Sequence, residues 1–384
     1  MSAVAADGPA VALLQPQPAD RLELAGAADP RGFHSSMPGY APTALRAAPV
    51  TAQALGVAEV LVKDESSRLG LPSFKVLGAS WAVYRALLAR LGATRDEVAT
   101  FAALRDAVAP LRPLSLSAAT DGNHGRAVAR MAALLGLDAA IYVPDNMVSA
   151  RIEAIASEGA TVTVVDGGYN DAIARSAQDA SENCLVISDT SWEGYEEVPA
   201  WVIEGYATVF AEIDEELAGR PRPDMVAAPI GVGALAAAVV RHYWSGAERP
   251  LIIGVEPTSA ACVLESVAAG HIVTLDHPQD SIMAGLNCAT PSLIAWPVVS
   301  RGMDAYLAVP DARVPEAMRL LAADGIVAGE TGAGGLAGML ALTHDAALAQ
   351  VREALAVSAG SRVLLLCTEG ATDPEAYARL TAAT

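Results

Sequence analysis

Along this chain short apolar runs alternate with Ala-rich stretches whose apolar positions recur at threes and fours. Ala58–Lys63 (AEVLVK), Pro113–Ala118, Ala139–Val143, Thr161–Val165 and Leu185–Ile187 read as strands. So, further on, do Met225–Ala228, Leu251–Val255 and Arg362–Cys367. The last two are almost continuously apolar, which suits strands buried on both faces. Val76–Leu91, Gly125–Leu135, Ala150–Ser157 and Ala234–Tyr243 read as helices, the first two stopped by Gly92 and Gly136. Strand, turn and helix repeated this often predict an α/β fold with a largely parallel sheet. The first 40 residues, rich in Ala, Pro, Gly and Asp, show little periodicity and are expected to form a loose surface arm.

At ~150 residues per domain, 384 residues suit two domains or three. Apolar residues are 53% and aromatics only 5%, so the core must be built from Ala, Val, Leu and Ile, and a disordered chain is excluded. A formal charge of −19 argues against nucleic acid or an anionic membrane as partner. A local pocket can still hold a small anion. Cys184, Cys262, Cys288 and Cys367 form no Cys-x-x-Cys pair, which argues against structural zinc and leaves a Cys262–Cys288 pairing open. No Lys or Arg precedes the first short apolar stretch, so a secretory signal is not expected. The longest apolar run, Val226–Val240, is shorter than the ~20 residues of a membrane span and is broken by Pro229, Gly231 and Gly233. A soluble, cytoplasmic protein is expected.

Three segments carry candidate chemistry. Lys75 opens an amphipathic helix between Phe74 and Val76. Apolar surroundings and the positive helix end both disfavour its ammonium, so its pKa is expected to fall, as a Schiff-base nucleophile requires. An isolated lysine of this kind is more often structural. Ala119–Thr120–Asp121–Gly122–Asn123–His124–Gly125 opens a second helix, where amides, Thr120 and Asn123 can grip a carboxylate or a hydroxyl. The bland reading is a cap made by Asp or Asn, with His124 structural. Gly231–Val232–Gly233–Ala234 joins a strand to a helix, and its amides can converge on a phosphate. It lacks the Lys-Ser/Thr ending of a nucleoside-triphosphate loop.

Lysine, Asn loop and Gly loop in this order resemble the tryptophan-synthase-β-like, fold-type-II pyridoxal phosphate (PLP) enzymes. Within that superfamily the chain is similar to the diaminopropionate ammonia-lyases. The resemblance rests on SFKVLGAS (73–80), SAATDGNHGRAVA (117–129), DTSWEGYEEVPAWVIEGYAT (189–208), SIMAGLNC (281–288), ETGAGGLAG (330–338) and CTEGATD (367–373). It implies α/β architecture in two domains with mostly parallel twisted sheets: residues 1–80 and 208–384 forming a large PLP-binding domain, residues 81–207 a small one. It implies that Lys75 forms the Schiff base with PLP and that Gly231, Val232, Gly233 and Ala234 hold the phosphate. Asn123 would bond the 3′-oxygen, and Cys367 or Thr368 would face the ring nitrogen.

The reaction implied is α,β-elimination of ammonia from 2,3-diaminopropionate, giving pyruvate. Ala119, Thr120, Asp121 and Asp189 would bind the substrate. Asp121 and Asp189 would supply negative charge for its second ammonium. Lys75 would be the base for the L isomer and Asp121 for the D isomer. Trp192 and Tyr195 would close the pocket or simply pack, Glu330 would approach the ring or cap a helix, and Tyr169 and Trp201 read as core or interface. The expected partners are a small amino acid and a second copy of the chain in a homodimer, with no metal. The rivals are a serine or threonine dehydratase or a β-replacement synthase on the same scaffold, and a non-catalytic binding protein of this fold.

Overall fold

A computed structural model describes residues 4–5, 8–15, 29–246 and 249–382. The chain divides into two compact units. One comprises Met1–Gly26, Thr43–Ser67 and Val209–Thr384, the other Ala27–Pro42 and Arg68–Thr208. The division differs from the expected one: residues 27–42, 68–80, with Lys75, and 208 go with the smaller unit. The reason is packing. The helix Lys75–Leu91 lies against the helices Asn123–Leu135 and Glu197–Gly205 of that unit.

The strands are, in chain order, β1 (Val11–Leu14), β2 (Leu45–Ala47), β3 (Glu59–Asp64), β4 (Ser115–Ala119), β5 (Asp138–Pro144), β6 (Thr161–Val165), β7 (Cys184–Val186), β8 (Met225–Pro229), β9 (Leu251–Pro257), β10 (Ala305–Val309) and β11 (Arg362–Cys367). The larger unit holds a sheet of order β1-β10-β9-β8-β11-β3-β2. Its five inner strands are parallel and its two edges antiparallel. β8 and β10 are buried throughout, and the helix Gly334–His344, apolar on nearly every side, packs against β8 and β9. Burial on both faces is why these strands read as unbroken apolar runs.

The loose-arm expectation fails within the described part of the N-terminus. Val11–Leu14 pairs with β10 and covers that sheet edge, which would otherwise expose unpaired backbone groups. Arg31–Ser35 forms a short helix whose Phe33 stacks on Tyr84 at 4.1 Å between centroids. Sequence periodicity misses both because each is too short to show a repeat. Residues 16–28 of the expected arm lie outside the described residues.

In the smaller unit the sheet order is β6-β5-β4-β7, all parallel. From β4 the chain builds outward through β5 and β6, then returns to place β7 on the other side of β4. The carboxyl ends of β4 and β7 therefore flank the point where strand order reverses, where open parallel sheets bind ligands. In the larger unit β8 and β11 stand in the same relation. The helix after β4 begins at Asn123, two residues before the sequence pattern suggests, because Gly122 (φ 143°) turns the chain sharply there.

Candidate active site

In the smaller unit Lys75 is the first residue of the helix Lys75–Leu91, and Asp189 follows β7 by three residues. The Lys75 ammonium donates to Asp189 Oδ2 at 2.5 Å, and the Tyr169 hydroxyl donates to Asp189 Oδ1 at 3.1 Å. The carboxylate is 5% exposed. Burial alone would raise its pKa, but the Lys75 charge, His124 and these hydrogen bonds hold it well below the usual carboxylate range.

The expected fall in the Lys75 pKa is overturned. Burial does push it down, but the Asp189 charge, with smaller contributions from Tyr206 and Asp121, outweighs burial and holds the amine above its ordinary value. Sequence reasoning supplied the desolvation and the helix end; it had no counter-ion for the lysine. While it is paired with Asp189, the amine is protonated rather than nucleophilic.

His124 also belongs to this cluster. Its Nε2 lies 2.8 Å from the Ile187 carbonyl, which can only accept, so Nε2 carries the proton. The bare Nδ1 is buried without a hydrogen bond and stands 3.9 Å from Asp189 Oδ2. Burial lowers the pKa of this imidazole, so it rests neutral. Tyr195 braces the segment: its hydroxyl donates to Val186 O at 2.6 Å and accepts from Ser188 N–H at 3.1 Å, while its ring stacks on Trp192 at 4.3 Å.

The Asn loop is organised by Thr120 rather than by Asp or Asn as cap. The buried Thr120 hydroxyl oxygen accepts from Gly122 N–H at 2.8 Å and Gly125 N–H at 2.9 Å. Ala119 ends β4, Asp121 stands half-buried after it, and Asn123 sits at the helix start with no side-chain cap on that helix. Asp121 acts electrostatically on both Lys75 and Tyr206. The structure thus groups Lys75, Asp121, Asp189 and His124, and adds Tyr169 and Tyr206, which the sequence reading assigned no chemistry. Each follows a glycine, Gly168 and Gly205, and Tyr206 also lies within the 189–208 motif that carries the resemblance.

The larger unit holds the other expected residues. Gly231–Val232–Gly233 leaves β8 and opens the helix Ala234–Ser245. Gly233 takes φ +99°, a left-handed conformation that disfavours any side chain. No side chain caps this helix, so its first amides remain available to an anion. A Cβ at Gly231 would lie 3.1 Å from Gly285 O and 3.2 Å from Cys288 Sγ. Cys262 and Cys288 keep separate thiols. On the neighbouring strand β11, the Cys367 thiol donates to Glu369 O at 3.4 Å, whereas the buried Thr368 hydroxyl makes no hydrogen bond. Glu330 is buried and does not cap the following helix.

The larger unit holds an uncapped glycine turn and, beside it in the sheet order, an orphaned hydroxyl, and the smaller unit holds a lysine on a helix end; each unit's residues fit the kind of donor that pyridoxal phosphate needs. A family model described as pyridoxal-phosphate dependent enzyme matches residues 37–369. The chain belongs to this family. Diaminopropionate ammonia-lyase of Salmonella typhimurium is 35% identical over 364 residues, covering 90% of this chain and 89% of that one. The crystal structure of the Escherichia coli diaminopropionate ammonia-lyase in complex with D-serine superposes with a TM-score of 0.84 at 34% identity, covering 92% and 90% of the two chains. The same E. coli enzyme with an aminoacrylate–PLP azomethine reaction intermediate gives 0.83 at 33%, with the same coverage. The family's cofactor is pyridoxal phosphate, and this chain is a PLP-dependent lyase of mixed α/β fold. No helix among the described residues is long and apolar enough to cross a membrane, and no cluster among them could hold a metal ion.

Proposed function

We propose that this chain removes ammonia from 2,3-diaminopropionate by α,β-elimination, releasing pyruvate. The Lys75–Asp189 ion pair carries the reading. Lys75 would hold the cofactor through its amine, the amides of Gly231–Ala234 its phosphate, Asn123 its ring oxygen and Thr368 its ring nitrogen. When bound, pyridoxal phosphate supplies an electron sink for breaking bonds at the α-carbon.

Asp189 keeps Lys75 charged. A substrate with a second ammonium offers Asp189 a replacement cation, and a lysine amine released from the pair can pass its proton to water and then act as a base. A neutral β-hydroxyl offers no such exchange, which favours diaminopropionate over serine or threonine. The bare His124 Nδ1 beside Asp189 is placed to accept a proton from an ammonium held there. Asp121 would take the α-proton of the D isomer and Lys75 that of the L isomer, with Ala119 and Thr120 shaping the substrate's carboxylate site. We read the working enzyme as a cytoplasmic homodimer that uses a small amino acid, without a metal and without nucleic acid or membrane as partner.

The test is pyruvate release from diaminopropionate, serine and threonine, read beside the near-visible absorbance of the holoenzyme. The reading expects diaminopropionate to be turned over fastest, and the absorbance to vanish in Lys75→Ala. Equal rates on serine, or no absorbance in the wild type, would remove it. Asp121→Asn should lose the D isomer and keep the L; equal loss of both would refute two separate bases.

A further inference from the structure

Tyr206 is fully buried, and its hydroxyl makes no hydrogen bond. Leaving a phenol oxygen in this condition is unfavourable, and replacing it by hydrogen would relieve the penalty. The chain nevertheless makes room for the ring at Gly78, and at Gly205 for the close approach of the backbone that precedes the tyrosine to the Lys75 helix. Gly78 lies one turn along the helix that Lys75 opens. A Cβ on Gly78 would stand 2.5 Å from Tyr206 Cε1 and 2.7 Å from Cζ, the carbon bearing the hydroxyl. A Cβ on the neighbouring Gly205 would stand 2.5 Å from Leu77 O. Glycine inside a helix weakens it relative to alanine, so Gly78 is itself a concession to this contact. Phe74 meets the ring at 4.7 Å between centroids.

The charges acting on the phenol are those of Lys75, Asp189 and Asp121. Lys75 in turn responds to Asp189, Tyr206 and Asp121, and lies within the influence of His124. Burial raises the Tyr206 pKa, so the oxygen keeps its proton at neutral pH.

We propose that Tyr206 is a positioning residue for Lys75, its hydroxyl providing the amine with a hydrogen-bonding partner when Asp189 is taken by the substrate's cation. The phenol suits both states of the amine: its oxygen accepts from an ammonium and its proton donates to a neutral amine's lone pair. An orphaned hydroxyl at rest is what this role demands, because the partner arrives only when the ion pair opens. The inference rests on the Lys75–Asp189 exchange proposed above.

Tyr206→Phe removes the oxygen and leaves the ring, Gly78 and Phe74 in contact. Two measurements decide the matter. In the apo chain, the pH dependence of Lys75 labelling by an amine-reactive reagent is followed by mass spectrometry, with Asp189→Asn as background to open the ion pair. In the holoenzyme, the pH profile of kcat with the L isomer is compared with that of the D isomer. The expected result is a variant that melts no lower than wild type. On the opened background its half-labelling pH should shift by at least half a unit, about threefold in labelling rate at fixed pH. Its loss of kcat with the L isomer should be about tenfold and larger than with the D isomer. Unchanged labelling and pH profiles in a folded variant would make Tyr206 a packing residue and overturn the proposal. If the wild type releases no pyruvate from diaminopropionate, the functional reading fails instead, and the labelling arm still decides whether the hydroxyl serves the amine. Tyr206→Leu, which removes the ring as well, guards against misreading: labelling changes in Leu but not in Phe would assign the effect to packing and reject a role for the hydroxyl.

Discussion

Each unit buries a lysine against a carboxylate, and the two pairs serve opposite ends. In the larger unit Lys63 donates to Glu212 at 2.7 Å and to the Thr43 carbonyl at 2.6 Å, and Thr43 N–H bonds Glu212 in return at 3.3 Å. Thr43 Oγ1 donates to Glu65 at 2.6 Å. Both charged side chains are essentially unexposed, and β3 holds the lysine in the sheet. In the smaller unit Lys75 sits on a helix end, 17% exposed, among Tyr169, His124, Asp121 and Tyr206. The first pair is closed by backbone; the second is surrounded by titratable groups and by two atoms without partners, His124 Nδ1 and the Tyr206 hydroxyl. A buried ion pair says little about function. What surrounds it, and whether its hydrogen-bonding capacity is used up, says more.

The comparison breaks first under alanine. Lys75→Ala should abolish near-visible absorbance and turnover, measured on purified protein. Lys63→Ala should leave the folded fraction coloured and active but cost about 3–5 kcal/mol in denaturant titration, because Glu212 is left as a buried, uncompensated charge. An inactive yet fully stable Lys63→Ala would place both lysines in the chemistry. Replacing both members by apolar residues sharpens the contrast: Lys63→Met with Glu212→Leu should be near neutral or stabilising in the same titration, whereas Lys75→Met with Asp189→Leu should give a stable, inert chain.

Asp189→Asn is a smaller perturbation. It removes the charge that holds Lys75 protonated, and kcat/KM for diaminopropionate should fall about 10- to 100-fold, the worth of a charged hydrogen bond. The rate on serine should fall less, and equal losses would deny the cation exchange. The remaining prediction concerns stability in the larger unit. Glu256 accepts amides from Val263 and Leu264, both at 2.8 Å, yet burial pushes its pKa up from 4.5 to about 8. Between those values the folded chain holds the proton that the unfolded chain has released. Stability therefore declines as pH rises from about 4.5 to about 8, then levels. Chemical denaturation across that range should show the decline, and Glu256→Gln should flatten it. A slope unchanged in the variant would assign the pH dependence to other groups.

Much was legible before any coordinates. The glycine turn at 231–233, the helix opening at Lys75 and the strands running to Ala118 and Cys367 follow from composition and periodicity, because turns and buried parallel strands are local in their demands. Strand bounds moved by a residue or two. Tyr169 was not legible as part of the site, since a tyrosine at a helix start carries no mark of the carboxylate it will meet 20 residues later. Thr120 and Asn123 were legible as a loop, but the hydrogen bonds that give the turn to Thr120 depend on Gly122 and on the approach of Gly125.

The amino-acid order by itself determined the α/β class, the glycine turn at 231–233 and the helix that Lys75 opens, because each depends on near neighbours in the chain. Tertiary structure alone decided the charge state of that lysine, the tautomer of His124 and the presence of Tyr206 beneath the helix. Those properties arise from groups brought together across 46 to 131 positions by the parallel sheet and its helices, and electrostatic interactions depend on distance in space rather than in sequence.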